Sequence, residues 1–124
     1  MQRLFLLVAW VLAALIVLVT LGPVSDRPQF GHPQDERFLA FLVLGLCWGA
    51  TYPFRLWRVF IGVTAAAVLL EAAQALAPGR DPRVADALAK IAGGAAGVAL
   101  VAVTRSFLVA YWTHTKRAQV AVRR

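Results

Sequence analysis

The chain has 124 residues, of which 60% are hydrophobic and only 15% charged, and its mean hydropathy is +0.70. A soluble domain of this size runs nearer half apolar and about a quarter charged, and its interior is too small to hide so many Leu, Val and Ala side chains. A bilayer hides them instead, and the length leaves room for a single domain over residues 1–124.

The net charge is +7 and the isoelectric point about 11.1. In a soluble protein such a balance would point to nucleic acid first. Here the cations sit in loops and tails between apolar blocks, so membrane orientation is the simpler cause and nucleic acid is not an expected partner. Lys116, Arg117, Arg123 and Arg124 read as a polybasic anchor beside anionic lipid. One cysteine, Cys47, and two histidines exclude an intrachain disulfide and any metal set built from them. No metal and no cofactor are expected.

In chain order, Met1 to Arg3 is a short basic start. Leu4 to Leu21 gives eighteen residues without a charge, about 27 Å of helix and close to the hydrocarbon thickness. A cleaved signal peptide would end in a small-x-small site, and Gly22-Pro23-Val24-Ser25 is a poor one, so the segment is expected to be a first spanning helix. Pro23, Pro28, Gly31 and Pro33 mark a loop. The second helix is predicted over about 37–52 and closed by Pro53, the third over 59–77, and the fourth over 84–112 after the turn Pro78-Gly79-Arg80-Asp81-Pro82. Arg105, near the far end of the fourth helix, is placed to snorkel to the interface, and the tail from Thr113 reads as polar and basic. The expected fold is therefore all-α, a polytopic membrane protein of four transmembrane helices.

Lys and Arg set the orientation. Arg3, Arg55, Arg58, Lys116, Arg117, Arg123 and Arg124 fall on one side, against Arg27, Arg37, Arg80 and Arg83 on the other. Seven against four predicts both termini in the cytoplasm. Tyr52, Trp57, Tyr111 and Trp112 then lie at the cytoplasmic boundary, as an aromatic belt would. Every acidic residue, namely Asp26, Asp35, Glu36, Glu71, Asp81 and Asp86, falls on the outer side or in the outer part of a helix.

Charges inside a membrane helix cost roughly 2.5–3.5 kcal/mol each at its centre and need a reason. In a hairpin of the third and fourth helices, Glu71 falls level with Lys90, and Gln74 with Asp86. Thr64, Ala67, Glu71 and Gln74 share one helical face, as do Asp86, Lys90, Gly93 and Gly97. The Gly93-x-x-x-Gly97 spacing is a close-packing pattern, expected to set Gly97 level with Thr64 and Gly93 or Gly94 near Ala67. The expectation is a tight hairpin that opens outward into a small charged pocket. A plain alternative is that Glu71 and Lys90 form an ion pair that only fixes helix register. Phe38, Phe41, Gly45, Trp48 and Tyr52 share a face of the second helix and read as packing, with Glu36 and Arg37 just above them, level with the pocket.

From Glu71 the chain reads E-A-A-Q-A-L-A-P-G-R and then D-P-R-V-A-D-A-L-A-K-I-A-G-G-A-A-G. This resembles the VanZ-like family, whose signature Glu, Gln, turn Arg, Asp and Gly are matched by Glu71, Gln74, Arg80, Asp86 and Gly93. Asp35, Phe38, Phe41 and Gly45 resemble the family's first motif, so the likeness spans about residues 35–97. Lys90 stands where the family usually has asparagine and Arg37 where it often has histidine, and both changes add positive charge. The family is named for a protein linked to low-level teicoplanin resistance, so the resemblance implies a cell-envelope role in a bacterial cytoplasmic membrane and a link to glycopeptide resistance. It supplies no reaction.

Three functions follow as expectations. The first is a binding or accessory protein in which Arg37, Arg80, Arg83 and Lys90 take an anionic headgroup of an envelope lipid or precursor, oriented by Glu71, Gln74 and Asp86. The second is an enzyme on an envelope lipid, using the two carboxylates, which lacks a nucleophile because Ser25 and His32 stand in a loop. The third is a structural or assembly protein. A transport path through four helices would need a homo-oligomer. Membrane lipid is the partner common to all of them.

Overall fold

The computed structural model describes residues 1–21, 32–76 and 83–122. They form four α-helices: α1 (Gln2–Leu21), α2 (Pro33–Thr51), α3 (Leu56–Ala75) and α4 (Val84–Val122). Three of them hold stretches long and apolar enough to cross a membrane, Arg3–Thr20, Leu56–Ala75 and Val84–Arg117. Within the first of these only 6% of the residues are buried, so nearly the whole surface of α1 is left for lipid to cover. The chain is an all-helical membrane protein.

Local chemistry fixes the helix ends. Pro33 opens α2, where a missing N–H costs nothing, and Asp35 and Glu36 in the first turn complement the helix dipole. These residues were expected in the loop, and α2 begins four residues before the predicted 37. Charge there marks solvent contact and a favourable start, not the absence of helix. The end of α2 falls where expected, with the Tyr52 amide donating to the Trp48 carbonyl at 3.0 Å ahead of Pro53. α3 likewise starts at Leu56, earlier than the predicted 59, because the Arg58 amide already reaches the Arg55 carbonyl at 2.9 Å. α3 ends at Ala75, before the predicted 77, which itself lies outside the described residues.

The largest departure is α4. Its 39 residues run ten positions past the predicted end at 112, about 58 Å in all and far more than the hydrocarbon thickness. After Gly97 the stretch to Val122 holds no Gly or Pro, and its Ala, Lys, Arg and Gln sustain helix where a polar tail was expected. Arg105 marks where α4 passes the end of the bundle. Its guanidinium donates to the Pro53 carbonyl at 2.8 Å and lies 4.4 Å from the Phe54 ring centroid. Tyr111 follows six residues later, about 9 Å further along the axis, so Tyr111 and Trp112 do not stand level with Tyr52 as the belt reading required.

Packing is tightest between α2 and α4, which run parallel. A Cβ on Gly93 would collide with the Phe38 carbonyl, one on Gly97 with the Leu42 carbonyl, and one on Gly45 would stand 2.5 Å from the Gly94 carbonyl oxygen. Gly93 and Gly97 thus serve close approach as expected, but toward α2 and not toward Thr64 and Ala67 of α3. The spacing reveals a face that admits a backbone without saying whose. Only Gly94 turns toward α3, against Val63. Phe41, Leu44, Val59, Val63, Ala67, Leu70 and Val98 fill the centre, with Ile16 from α1. α3 runs antiparallel to α4, and α1 antiparallel to α2, so Leu21, Pro33, Ala75 and Val84 gather at one end. Met1, the 52–55 turn and Arg105 gather at the other.

Candidate functional site

The first of these ends carries the charged cluster. Glu71 lies on the inner face of α3, one turn below Gln74, and Lys90 lies one turn below Asp86 on α4. All four are buried, Lys90 at 1% exposure and Asp86 at 4%. Carboxylate and ammonium groups removed from water this completely require partners. Lys90 Nζ donates to Glu71 Oε2 at 2.5 Å, the pairing that the level positions predict. The other Glu71 oxygen, Oε1, accepts the backbone amide of Arg83 at 3.2 Å, tying the carboxylate to the entry of α4.

The second expected pairing takes a different form. Gln74 and Asp86 each turn to another helix. Gln74 Nε2 donates to the Thr20 carbonyl of α1 at 3.2 Å, and Asp86 Oδ1 forms an ion pair with the guanidinium of Arg37 on α2. A hairpin argument places residues by height alone, and the flanking helices α1 and α2 decide the direction. The carbonyls of a helix's last turn have no partner within the helix, so a Gln level with the end of α1 is a natural donor for Thr20. That was the signal for Thr20, which sequence reasoning missed.

The resulting chain of contacts runs from Thr20 to Gln74, from α3 through Glu71 to Lys90, and from α4 through Asp86 to Arg37. Every helix contributes one member or more. Gln74 and Glu71 are three residues apart, Asp86 and Lys90 four, so each pair sits on one helical face. Two acids meet two bases, and the four charges cancel. Arg37 keeps 24% of its side chain exposed, and Arg83 stands exposed at the start of α4. Arg80 was expected to complete the site, and it lies outside the described residues. Among the described residues no group of three or more His, Cys, Asp or Glu side chains is arranged to hold a metal ion.

Matched against protein-family models, curated proteins and solved structures, the chain finds no counterpart in any of the three.

Proposed function

We propose that the chain is a four-span protein of the bacterial cytoplasmic membrane, both ends in the cytoplasm, whose charged end binds the anionic headgroup of an envelope lipid or lipid precursor without transforming it. The observation that carries this reading is the state of Arg37. Asp86 holds its guanidinium, yet about a quarter of the side chain, 24%, stays exposed. Guanidinium has five donors in one plane, so a carboxylate on one edge leaves others for a phosphate or carboxylate outside. Arg83, fixed through its amide to Glu71, adds a second exposed cation to the same rim.

The fourth span rests on α2 running between the same two ends as α1 and α3, and the sidedness on the excess of Lys and Arg at the Met1 end. The resemblance to VanZ-like proteins extends the proposal to the cell envelope and to teicoplanin-type glycopeptide resistance. Its support is that Glu71, Gln74 and Asp86, three motif residues, join one network. A structural or assembly role is the second reading, favoured by Lys90 at 1% exposure and by both Glu71 oxygens already accepting from protein donors.

Native mass spectrometry of the gently extracted protein tests the two readings. Wild type is measured beside Arg83→Ala and a double variant, Arg37→Gln with Asp86→Asn, which avoids a stranded buried charge. Retention of an anionic lipid or precursor by wild type, lost in both variants at unchanged melting temperature, is the expected result. Only bulk lipid on wild type, with variants that merely lose thermal stability, would leave the cluster as a device that sets helix register.

A further inference from the structure

The opposite end of the bundle holds a cleft of about 500 Å³ between α1, α2 and α3. Aromatic rings form one side of it. Trp10 of α1 meets Trp48 of α2 edge to face with centroids 5.2 Å apart, and Tyr52 stacks on Trp48 at 6.0 Å. On the α3 side the room comes from Gly62, where a Cβ would find nothing within 4 Å. Arg55 and Arg58 line the same cleft. Arg55 ends the tight turn after α2, its amide donating to the Tyr52 carbonyl at 3.0 Å. Arg58 lies 5.1 Å from the centroid of the Trp57 ring, which steadies its guanidinium beside the boundary.

These two arginines differ from Arg37. Among the described residues neither forms an ion pair, whereas Arg37 and Lys90 both do. A cleft that is apolar along its walls and doubly cationic at its mouth, in a membrane protein, matches a molecule with an apolar chain and an anionic head. We propose that this cleft binds one acyl chain of an anionic phospholipid, with Arg55 and Arg58 gripping the phosphate at the membrane boundary.

The size falls in the ordinary range for small-molecule sites, roughly 300–1,000 Å³. Two guanidiniums present planar donor forks that fit phosphate oxygens. A zwitterionic lipid brings its own cation to the same mouth, which both arginines repel. The site therefore discriminates by charge, while the tail alone would enter from either lipid. It shares no residue with the charged end, so either site stands if the other fails.

Tryptophan quenching by brominated lipid chains reads this site directly. The full chain carrying Trp57→Phe, which keeps a ring beside Arg58, and Trp112→Phe keeps Trp10 and Trp48 as its only reporters. It is reconstituted in phosphatidylcholine vesicles doped with either brominated phosphatidylglycerol or brominated phosphatidylcholine. The anionic lipid is expected to quench at a mole fraction lower by roughly fivefold or more. Arg55→Gln with Arg58→Gln should bring the two lipids level. Gly62→Leu, which fills open space, should weaken quenching by both while helix content and melting temperature hold. Equal quenching of this two-tryptophan protein by the two lipids would overturn the proposal, as would a preference that survives loss of both arginines. Quenching by neither lipid, with the tryptophans shielded in a dimer, would overturn it in favour of a second copy.

Discussion

The two ends of this bundle treat charge in opposite ways. At one end Glu71, Lys90, Asp86 and Arg37 come from three helices and cancel in pairs, and Gln74 adds α1 to the set. At the other end Arg55, Arg58 and Arg105 face rings, a backbone carbonyl and an apolar cleft, with no carboxylate in an ion pair among the described residues. The contrast separates two uses of a costly group. A charge buried to 1% exposure at Lys90 is tolerated only because a partner neutralises it, and the partner then fixes which helix faces which. A cation at the boundary keeps its head near water and stays available to lipid. The buried pairs of the first end should therefore govern stability, while its exposed rim at Arg37 and Arg83 and the arginines of the second end stay open to lipid headgroups.

The strongest break of this contrast is Lys90→Met. It keeps bulk and removes the ammonium that donates to Glu71 Oε2. The stranded carboxylate should lower unfolding free energy by about 3–5 kcal/mol, measured by reversible denaturation in mixed micelles. Glu71→Gln with Lys90→Asn should recover most of that loss, since neither member then leaves a lone charge. A single variant as stable as wild type would mean that the pair is wet in the membrane, and the division between the ends would fail at its stronger side.

Arg105→Ala probes the weaker side. It removes the hydrogen bond to the Pro53 carbonyl and the contact with the Phe54 ring. The expected loss is about 1–2 kcal/mol in the same assay, smaller because no opposite charge is left buried. Arg105→Lys keeps the charge but not the planar fork, and should restore only part of it. A loss equal to that of Lys90→Met would make the two ends alike.

Much of this architecture is legible in sequence because apolar blocks and breakers act locally. Pro53 closes α2 and the Gly- and Pro-rich stretches separate four helices, as their lack of N–H groups and their backbone freedom require. Glu71 and Lys90 are legible because an antiparallel hairpin fixes height from chain position alone. Arg37 with Asp86 is not, because that contact joins α2 to α4 in parallel and depends on which neighbour the glycine face meets. Gly93 and Gly97 permit a close neighbour without selecting one. Trp10 was missed for a related reason: inside an apolar helix its ring carries no periodic signal that distinguishes a packed aromatic from one facing lipid. The start of α2 and the end of α4 differ from expectation where charge was read as loop, although charged residues continue a helix as readily as they leave one.

The arm of α4 beyond the bundle gives the smallest expected effect. Leu56 of α3 lines a shallow surface with Arg105, Ser106, Val109 and Ala110, where α4 leaves the bundle. Phe107, Tyr111 and Trp112 are exposed. Thr113→Pro falls just past this point. A proline there clashes with the carbonyl four residues back and costs about 3 kcal/mol within the helix. The remaining segment is shorter than the roughly 12–15 residues that an isolated helix needs in water. Circular dichroism should lose about ten residues of helix, while the melting temperature of the bundle and the exchange protection of α2 stay unchanged. The stability of α2 comes from Phe41 and from the glycine seam, both of which lie on the far side of Arg105 from the substitution. A melting temperature that falls together with the helix signal would place the arm in contact with the bundle or with a second copy, and the basic end would then contribute to stability as the charged end does.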